Sequence, residues 1–534
     1  MEPVVTRPGR RAGVRAGVAA LVVALLASVG YAALDAVDVV PGVLTSDLGS
    51  EDDVPPAPPS ESTSQPTSVP PGGSGATADT TTDTTTLEPT RGGLAGLRTP
   101  AAQSGQDRAG RASGGPLALP SGPGAAPGPT RKGLERALAT ALADPALGPS
   151  VGLQVRDAAG TVVYSRDDRR AKTPASTTKV LTAVAVAQAQ DLTQRFLTRA
   201  LYDPGADAGA GSVPTIVLVA GGDNLLAADA GDPGAVAGQA GLGDLARAVA
   251  AALPTPRPKA VRLVLDDRFA RGPAVAPGWG SDDVRLGLTG PVAMLGLATD
   301  RAVPYRPASA DPAMTATAAF AKALAAAGVP VTGRPARGHG TAAARAIAEV
   351  RSAPVGDVLA LALDESDNDL TESVARWACA RGRAPTTFAG CARWVRSRLA
   401  DAGLDVTAVR LADTSGLSAG TSVPVSVVGH AMWLGTSGRN PGPASVLSRL
   451  PVAGLSGTLH DRFRAPEARA GVGVVRAKTG TLTGVGALAG SVVDAEGEAL
   501  TFAVIADRVP PAGTAAARAA LDRLAATLAG CGCR

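Results

Sequence analysis

The sequence predicts an α+β fold, an antiparallel sheet flanked by helices, for the chain beyond about residue 131. At the start of this part, "RKGLERALATALADPAL" has helical periodicity, and "VGLQVRDAAGTVVYSRD" predicts two short strands around a turn. Near the end, "GVGVVRAKTGTLTGVGALAGSVVDAEGEALTFAVIADR" predicts three strands, and "TAAARAALDRLAATLAG" predicts a closing helix. A helix and strands thus lie at each end of this part of the chain, and the sequence between them is mostly helical. We therefore expect one domain whose sheet contains the strands from both ends.

A second body is expected within this domain. The runs "PTIVLVAGGDN" and "AVRLVLDD" have strand character of their own. They predict an inserted subdomain over 201–303, which divides the main domain into 131–200 and 304–534.

The amino terminus predicts export. Four arginines precede an uncharged stretch, Ala16–Leu34, of about 19 residues, which is near the length that crosses a bilayer. Residues 1–45 are therefore interpreted as a short cytoplasmic tip followed by a signal anchor. The anchor would attach the protein to the membrane. Gly30 and Ala32 also fit a cleavage site, so a removed signal peptide stays open. Both alternatives place the rest of the chain in the cell envelope, on the outer face of the plasma membrane.

Residues 46–130 predict a disordered tether. They include "PPAPPSESTSQPTSVPPGGSG" and "TADTTTDTTT", which offer too little apolar surface to offset the entropy of ordering. The net charge of +4 is small for 534 residues, and no basic face with interleaved aromatic residues is visible. We therefore expect no nucleic-acid partner.

The four cysteines fit disulfides in an exported protein. Cys379 and Cys391 close a short loop and are the expected pair. Cys531 and Cys533 have one residue between them, which makes a mutual bridge awkward, and their redox state stays open. None of the three histidines has a convincing ligand spacing, so no metal is expected.

The stretch "KTPASTTKVLTAVAVA" places a serine and a lysine at the start of a predicted helix. Ser176 and Lys179 are three residues apart, so their side chains project from the same face. A serine hydroxyl is a poor nucleophile without a base, and a lysine is a base only if burial or a nearby cation lowers its pKa. Val180, Val184 and Ala187 give the helix a buried face.

Two further motifs follow in a fixed order. "LDESDNDLTESVAR" contains Ser366-Asp367-Asn368 at the head of a predicted helix, and "VVRAKTGTLTG" contains Lys478-Thr479-Gly480-Thr481 on a predicted strand. Each motif alone is weak, because a helix cap or an exposed strand lysine would explain it. The order S-x-x-K, S-D-N, K-T-G is the set found in penicillin-recognising serine enzymes.

With these motifs the sequence resembles the D-alanyl-D-alanine carboxypeptidase/endopeptidases, the class C low-molecular-mass penicillin-binding proteins. "VLVAGGDNLL", "DDRFARGPAVAPGW", "GPVAMLGLATDR", "DTSGLS" and "GLSGTLHDRF" favour this subgroup. The resemblance covers about 132–530 and implies a penicillin-binding/serine β-lactamase-like fold. It implies no cofactor, peptidoglycan stem peptides as substrates, and β-lactams as covalent inhibitors. The family often has glycine where this chain has Thr414.

The resemblance also implies roles. Ser176 would form an acyl-enzyme with Lys179 as its base, and Ser366 would pass a proton to the leaving amine. Asn368, Lys478, Thr479, Gly480 and Thr481 would bind substrate. The backbone N–H groups of Ser176 and Thr481 would form the oxyanion hole.

Two other functions stay open at this point. A serine β-lactamase shares the acylation residues, but no E-x-x-x-N loop that would activate water is visible between the first two motifs. A non-catalytic module that binds cell-wall peptides would not need the intact motifs. The balance of carboxypeptidase and endopeptidase activity, the diamino acid of the stem peptide and the oligomeric state are not predicted.

Overall fold

A computed structural model describes residues 128–205 and 213–534 of the chain. The predicted membrane segment and all but the last residues of the predicted tether lie outside the described residues. Within the two described ranges, no helix is both long and apolar enough to cross a membrane.

The elements are numbered along the described chain. The strands are β1 (Val151–Arg156), β2 (Val162–Arg166), β3 (Ala171–Lys172), β4 (Arg195–Asp203), β5 (Thr215–Val219), β6 (Asp223–Leu226), β7 (Arg262–Asp266), β8 (Leu295–Leu297), β9 (Ala336–Arg337), β10 (Arg345–Pro354), β11 (Val423–Pro424), β12 (Arg476–Leu482), β13 (Val485–Val493) and β14 (Ala499–Ala506). The helices are α1 (Arg131–Leu142), α2 (Thr178–Ala189), α3 (Leu242–Ala252), α4 (Ser281–Arg285), α5 (Pro312–Ala326), α6 (Val355–Asp364), α7 (Asn368–Arg381), α8 (Phe388–Asp401), α9 (Val425–Thr436), α10 (Pro441–Leu447) and α11 (Thr514–Ala529).

The main sheet joins the two ends of the folded chain. Its order is β12-β13-β14-β1-β2, and every neighbouring pair is antiparallel. Val151 at the start of β1 lies opposite Ala506 at the end of β14. The predicted α+β class, with one antiparallel sheet built from both ends, is confirmed.

The sheet is covered on both faces. All eight residues of β14 are buried, and those from Phe502 to Ala506 alternate between two apolar clusters. Phe502 and Val504 pack in the cluster that contains residues of α1 and α11, whereas Ala503 and Ile505 pack in the cluster of α2 and α9. Since successive side chains of a strand point to opposite faces, the unbroken apolar run "ALTFAVIA" is what a doubly covered strand requires.

Helix α2 is buried on all sides. Every residue from Thr178 to Ala187 is buried, including Lys179. The sequence predicts one buried face, and the structure surrounds the helix with α7, α8, α9 and α10. A lysine in such a helix lies in the protein core.

A second sheet lies in the region of the predicted insertion. Its order is β10-β4-β5-β7-β9, with β4 antiparallel to β10 and β5, and with β5, β7 and β9 parallel. The strands of this sheet come from a longer part of the chain than the predicted range 201–303. Its first strand, β4, begins before residue 201, and β10 lies after residue 303. Sequence periodicity could not give these limits, since β10 pairs with a strand far earlier in the chain.

The predicted disulfide is wrong. The structure joins Cys531 to Cys533, whose Cα atoms are 5.0 Å apart, within the range that a disulfide bridges. Cys379 and Cys391 are buried free thiols whose Sγ atoms lie 3.3 and 3.8 Å from the carbonyl oxygen of Pro385. The two thiols contact each other, so the short loop does bring this pair together, but the structure does not join them.

A buried ion pair fixes α11 to the segment before β12, and its removal is expected to destabilise the fold. Arg462 Nη2 lies 2.7 Å from Asp522 Oδ1, and the side chains are 7% and 8% exposed. Asp522→Ala leaves a buried guanidinium without its carboxylate, so we expect the free energy of unfolding to fall by about 3–5 kcal/mol. Urea denaturation measures this change.

The matched control is Asp282→Ala, which removes the partner of Arg285 in an ion pair with side chains 66% and 68% exposed. We expect a change below about 1 kcal/mol there, because water screens exposed pairs. Equal effects of the two substitutions would contradict the structural role of the buried pair.

Candidate active site

Ser176 lies where the sequence places it, in a short turn that leads into α2. The turn Ala175–Thr177 is a 3-10 helix, and the Thr177 N–H donates to the carbonyl oxygen of Pro174 at 3.2 Å. Ala175 has a φ of 47°, in the left-handed region that residues other than glycine seldom adopt. This backbone presents Ser176 at the amino end of a core helix.

Lys179 lies one helical turn further and is 0% exposed. Its Nζ is 3.0 Å from Ser176 Oγ, 2.6 Å from Asn368 Oδ1 and 3.1 Å from the carbonyl oxygen of Ser415. Burial lowers the pKa of Lys179 from 10.5 to about 8, against the opposing effect of nearby carboxylates such as Asp413. Roughly a tenth of this amine is therefore neutral at pH 7, far more than for an exposed lysine.

The three contacts fit a neutral amine that acts as a base. Two N–H groups satisfy the oxygens of Asn368 and Ser415, which can only accept. The remaining lone pair then faces the Ser176 hydroxyl, which can donate its proton. The geometry can thus activate Ser176 as a nucleophile.

The S-D-N motif lies in the loop between α6 and α7. Ser366 has a φ of 58°, and the Asp367 side chain caps α7 by accepting from the Leu370 N–H at 2.8 Å. Asn368 is the first residue of α7, and its Nδ2 donates to the carbonyl oxygen of Leu288 at 2.8 Å. This bond fixes the amide so that its oxygen faces Lys179.

An arginine outside the predicted site holds this loop. Arg301 Nε donates to Asp367 Oδ2 at 3.1 Å, and its Nη2 contacts both Asp367 and Glu365. These carboxylates raise the pKa of Arg301, although burial opposes them. The sequence singled out "GPVAMLGLATDR", which ends at Arg301, but gave the arginine no role.

The K-T-G motif lies on β12 as predicted. Lys478 is 0% exposed, and its Nζ donates to Ser366 Oγ at 2.8 Å and to the carbonyl oxygen of Thr479 at 3.0 Å. Thr479 Oγ1 lies 3.1 Å from Thr458 Oγ1, in the segment "GLSGTLHDRF". The lysine therefore joins the second motif to the third.

Gly480 allows β12 to approach the nucleophile. A Cβ at this position would lie 2.7 Å from the carbonyl oxygen of Pro174, closer than real Cβ contacts come. Only glycine permits this approach, which sets Thr481 on the strand beside the Ser176 turn. The oxyanion hole of Ser176 and Thr481 N–H groups stays a prediction.

Sequence reasoning missed Glu372, whose carboxylate positions the loop that carries the Ser415 carbonyl, the third contact of Lys179. Glu372 lies one turn after Asn368 on α7 and accepts from Thr414 N at 2.8 Å, Thr414 Oγ1 at 2.7 Å and Ser415 N at 2.7 Å. Burial raises the pKa of Glu372 to about 7, and the charge of Asp413 adds to this effect. Its four-residue spacing from Asn368 is the only signal that the sequence offers.

The loop that Glu372 holds packs closely on the nucleophile turn. Gly416 has a φ of 84°, and a Cβ there would lie 2.1 Å from the carbonyl oxygen of Ala175. The carboxylate of Asp413 accepts from the Gly416 and Ser418 N–H groups, each at 2.7 Å. The segment "DTSGLS" thus forms one wall of the site, and Thr414 uses its hydroxyl to bind Glu372.

The chain is similar in sequence to known carboxypeptidases. The sequence profile of the D-Ala-D-Ala carboxypeptidase 3 (S13) family matches residues 134–304 and 296–528. The carboxypeptidase DacB of Mycolicibacterium smegmatis is 36% identical over 417 residues, which cover 76% of this chain and 86% of that protein. A carboxypeptidase of Mycobacterium tuberculosis is 33% identical over 411 residues, which cover 76% and 85%.

The fold has a solved counterpart. Penicillin-binding protein 4 from Haemophilus influenzae superposes with a TM-score of 0.59 at 20% identity, over 74% of this chain and 98% of that one. The predicted penicillin-binding fold is confirmed by this likeness.

Glu372 is expected to stabilise the site through its three hydrogen bonds. In Glu372→Leu no oxygen remains to accept from the Thr414 and Ser415 N–H groups, which both bind Glu372 Oε1. We expect the free energy of unfolding to fall by about 1–3 kcal/mol, the cost of a buried donor left without an acceptor. Urea denaturation measures it.

Glu135→Leu is the matched control, since Glu135 is exposed on α1. We expect a change within about 0.5 kcal/mol there. A Glu372→Leu protein as stable as the wild type would show that the Ser415 loop does not depend on this carboxylate.

Proposed function

The chain belongs to the D-Ala-D-Ala carboxypeptidase 3 (S13) family, and we propose that it removes the terminal D-alanine of peptidoglycan stem peptides through an acyl-enzyme at Ser176. The observation that carries this proposal is the contact of the half-buried Ser176 Oγ with the Nζ of the fully buried Lys179 at 3.0 Å. The protein is thus a serine-type carboxypeptidase in which lysine replaces histidine as the base.

Acylation follows from the geometry. Ser176 Oγ attacks the carbonyl carbon between the two D-alanines, and its proton passes to Lys179 Nζ. The negative charge that develops on the carbonyl oxygen is stabilised by the Ser176 and Thr481 N–H groups, each worth about 3–4 kcal/mol in such a site. When the tetrahedral intermediate collapses, the C–N bond breaks. Ser366 Oγ gives its proton to the leaving amine and takes up the proton held by Lys179, which becomes neutral again.

Substrate recognition uses the other motif residues. Lys478, together with the hydroxyls of Thr479 and Thr481, binds the terminal carboxylate, since charge-assisted hydrogen bonds to a carboxylate are strong. Asn368 holds the peptide backbone of the substrate as well as Lys179. Water then attacks the acyl-enzyme and releases the shortened peptide.

The same serine would react with β-lactams. A β-lactam carries an amide carbonyl beside a carboxylate, so it can occupy the position of the D-alanyl-D-alanine bond and acylate Ser176. Penicillin-binding protein 4 from Haemophilus influenzae, which shares the fold, has been crystallised in complex with a β-lactam. We propose covalent inhibition of this chain by the same class of compound.

The decisive experiment is mass spectrometry with a fluorescent penicillin. We expect a stable adduct on the wild type and none on Ser176→Ala, because the Ser176 hydroxyl faces the lone pair of the neutral Lys179 amine, which can take its proton. Ser445→Ala, which removes the hydroxyl of an exposed serine that bonds the carbonyl of Gly442, should label like the wild type.

Two outcomes would contradict the proposal. Loss of the adduct within seconds would indicate a serine β-lactamase. Absence of an adduct on the wild type would indicate a non-catalytic module that binds wall peptides.

The acylation rate is expected to rise with pH through about 8. Below the Lys179 pKa of about 8 the amine is protonated and has no lone pair for the Ser176 proton, so the rate should increase with pH and then level off. Stopped-flow acylation by the fluorescent penicillin, from about pH 6 to 9, measures this.

The control is Lys179→Arg, whose guanidinium cannot be deprotonated. We expect its acylation to be slow at every pH. A wild-type rate that is flat or falling over this range would exclude Lys179 as the base.

We further propose that the chain acts outside the cytoplasm, carried there by the segment Ala16–Leu34. Support comes from the arginines that precede it and from a substrate located in the cell wall. The test is to isolate the protein from the membranes of its own cells and to identify its N-terminal peptide. An anchor would keep Ala16–Leu34, whereas a signal peptide would be removed. Recovery of the whole protein from the cytoplasm would contradict export.

Through the same acyl-enzyme, the protein would also act as a DD-endopeptidase, which cleaves cross-linked peptides. The purified protein, given a linear and a cross-linked peptide in separate reactions, would release D-alanine from the first and monomers from the second. Products from the linear peptide alone would restrict the function to the carboxypeptidase.

A further inference from the structure

The second sheet has one apolar face and one cationic face. Along β4, Phe196, Thr198 and Ala200 are buried, whereas Arg195 and Arg199 are exposed. The alternation follows from the two-residue period of a strand. The cationic face is therefore set by the strand geometry.

Neighbouring strands extend this face. Arg351 on β10 lies opposite Leu197, and Val219 on β5 lies opposite Arg199. The face thus combines three arginines with two aliphatic side chains in register across three strands.

Helix α7 turns this face into a cleft of about 580 Å³. Trp377 and Arg381, near the end of α7, line one side, and the half-exposed ring of Phe269 lines another. The Trp377 ring packs against Phe196 with centroids 5.2 Å apart, which fixes the helix to the sheet. A cleft of this volume is large enough for a peptide-sized ligand.

The cleft carries a net positive charge. Of the described residues that line it, four are arginines and none is acidic. Glu349, beside the lining, lies opposite Arg199 and pairs with Arg351, so it offsets one of the four charges. No carboxylate in the described part of the chain forms an ion pair with Arg195, Arg199 or Arg381.

Two of these arginines are already oriented. Arg195 Nη1 donates to the carbonyl oxygen of Ser352 at 2.6 Å, and the Arg381 guanidinium lies 5.0 Å from the Trp377 ring centroid. Contacts of this kind reduce the entropy that a side chain loses on binding a ligand. Each guanidinium keeps N–H groups that can bind a carboxylate in bidentate geometry.

The cleft and the active site lie at opposite ends of α7. Asn368, which contacts Lys179, begins the helix, and Arg381 ends it. Thirteen residues of helix rise roughly 20 Å. A peptide of about five residues spans at most roughly 18 Å, so one stem peptide does not fill both sites.

We propose that this arginine cleft binds a second, carboxylate-bearing stem peptide of the same peptidoglycan polymer whose first peptide enters the active site. The inference rests on the proposed function, which supplies a polymer with repeated acidic peptides. The spacing of Arg195 and Arg199 on one strand suits several carboxylates along a peptide better than one compact anion. Binding at two sites raises the effective concentration of the polymer without changing the chemistry at Ser176.

The test separates binding from catalysis. Binding is measured by co-sedimentation of the full chain with insoluble peptidoglycan freed of phosphodiester-linked polymers, in a Ser176→Ala background that prevents digestion. We expect Arg199→Gln/Arg381→Gln to weaken binding on the order of tenfold or more, because the polymer then has one site. With Ser176 intact, the same double substitution should leave kcat/KM for a short D-alanyl-D-alanine peptide unchanged.

The matched control is Arg262→Gln, an exposed arginine of β7 outside the cleft lining, which should bind like its background. Peptidoglycan whose carboxylates are amidated should bind weakly to the cleft-intact protein. If the double variant loses its native melting transition, Arg199→Gln alone replaces it.

The outcomes are distinct. Unchanged sedimentation of the cleft variants, or equal binding of amidated polymer, overturns the proposal. Binding only to walls that retain phosphodiester polymers would assign the cleft to a phosphate ligand and also overturn it. If the wild type hydrolyses no short peptide, the proposed function fails, while sedimentation still decides whether the cleft binds the polymer.

Discussion

The buried amine of Lys179 is the interaction on which the rest of the site depends. A fully buried ammonium group without partners would be costly, so the structure must bring acceptors to it. They come from three segments far apart in the chain: the Ser176 turn, the head of α7 at Asn368 and the loop at Ser415. The hydrogen bonds of the Lys179 amine therefore hold together the three segments that form the active site.

Strained backbone accompanies this convergence. Ala175 and Ser366 both have positive φ although neither is glycine, and such residues cost about 1–3 kcal/mol each. Their surroundings hold them there: Lys478 binds the Ser366 hydroxyl, and the Gly416 loop packs against Ala175. Of the seven non-glycine residues with positive φ in the described part of the chain, Ala175 precedes one serine of the proposed reaction and Ser366 is the other. Their orientations are therefore fixed before substrate arrives.

The sequence predicted the main sheet and the three motifs because their signals are local. Strand alternation around glycine turns located β12–β14, and the serine–lysine spacing placed both side chains on one helical face. Signals that depend on distant contacts were not available. The limits of the second sheet require the pairing of β10 with β4, and the role of Glu372 requires the loop at Thr414 that folds onto it. Loop length correctly brought Cys379 and Cys391 into contact, but it could not show that this pair stays reduced while Cys531 and Cys533 are joined.

The pairing of β1 with β14 has a consequence for how the protein is made. The strand that completes the centre of the main sheet comes from the last part of the chain, whereas its partner is among the first folded segments to be synthesised. Until β14 emerges, β1 lacks one neighbour and the apolar face of α2 lacks part of its cover. The core can therefore close only after β14 has been synthesised, and such non-local pairing makes folding slow. During that interval the unfinished chain exposes a strand edge, and holding factors that shield such edges would matter most then.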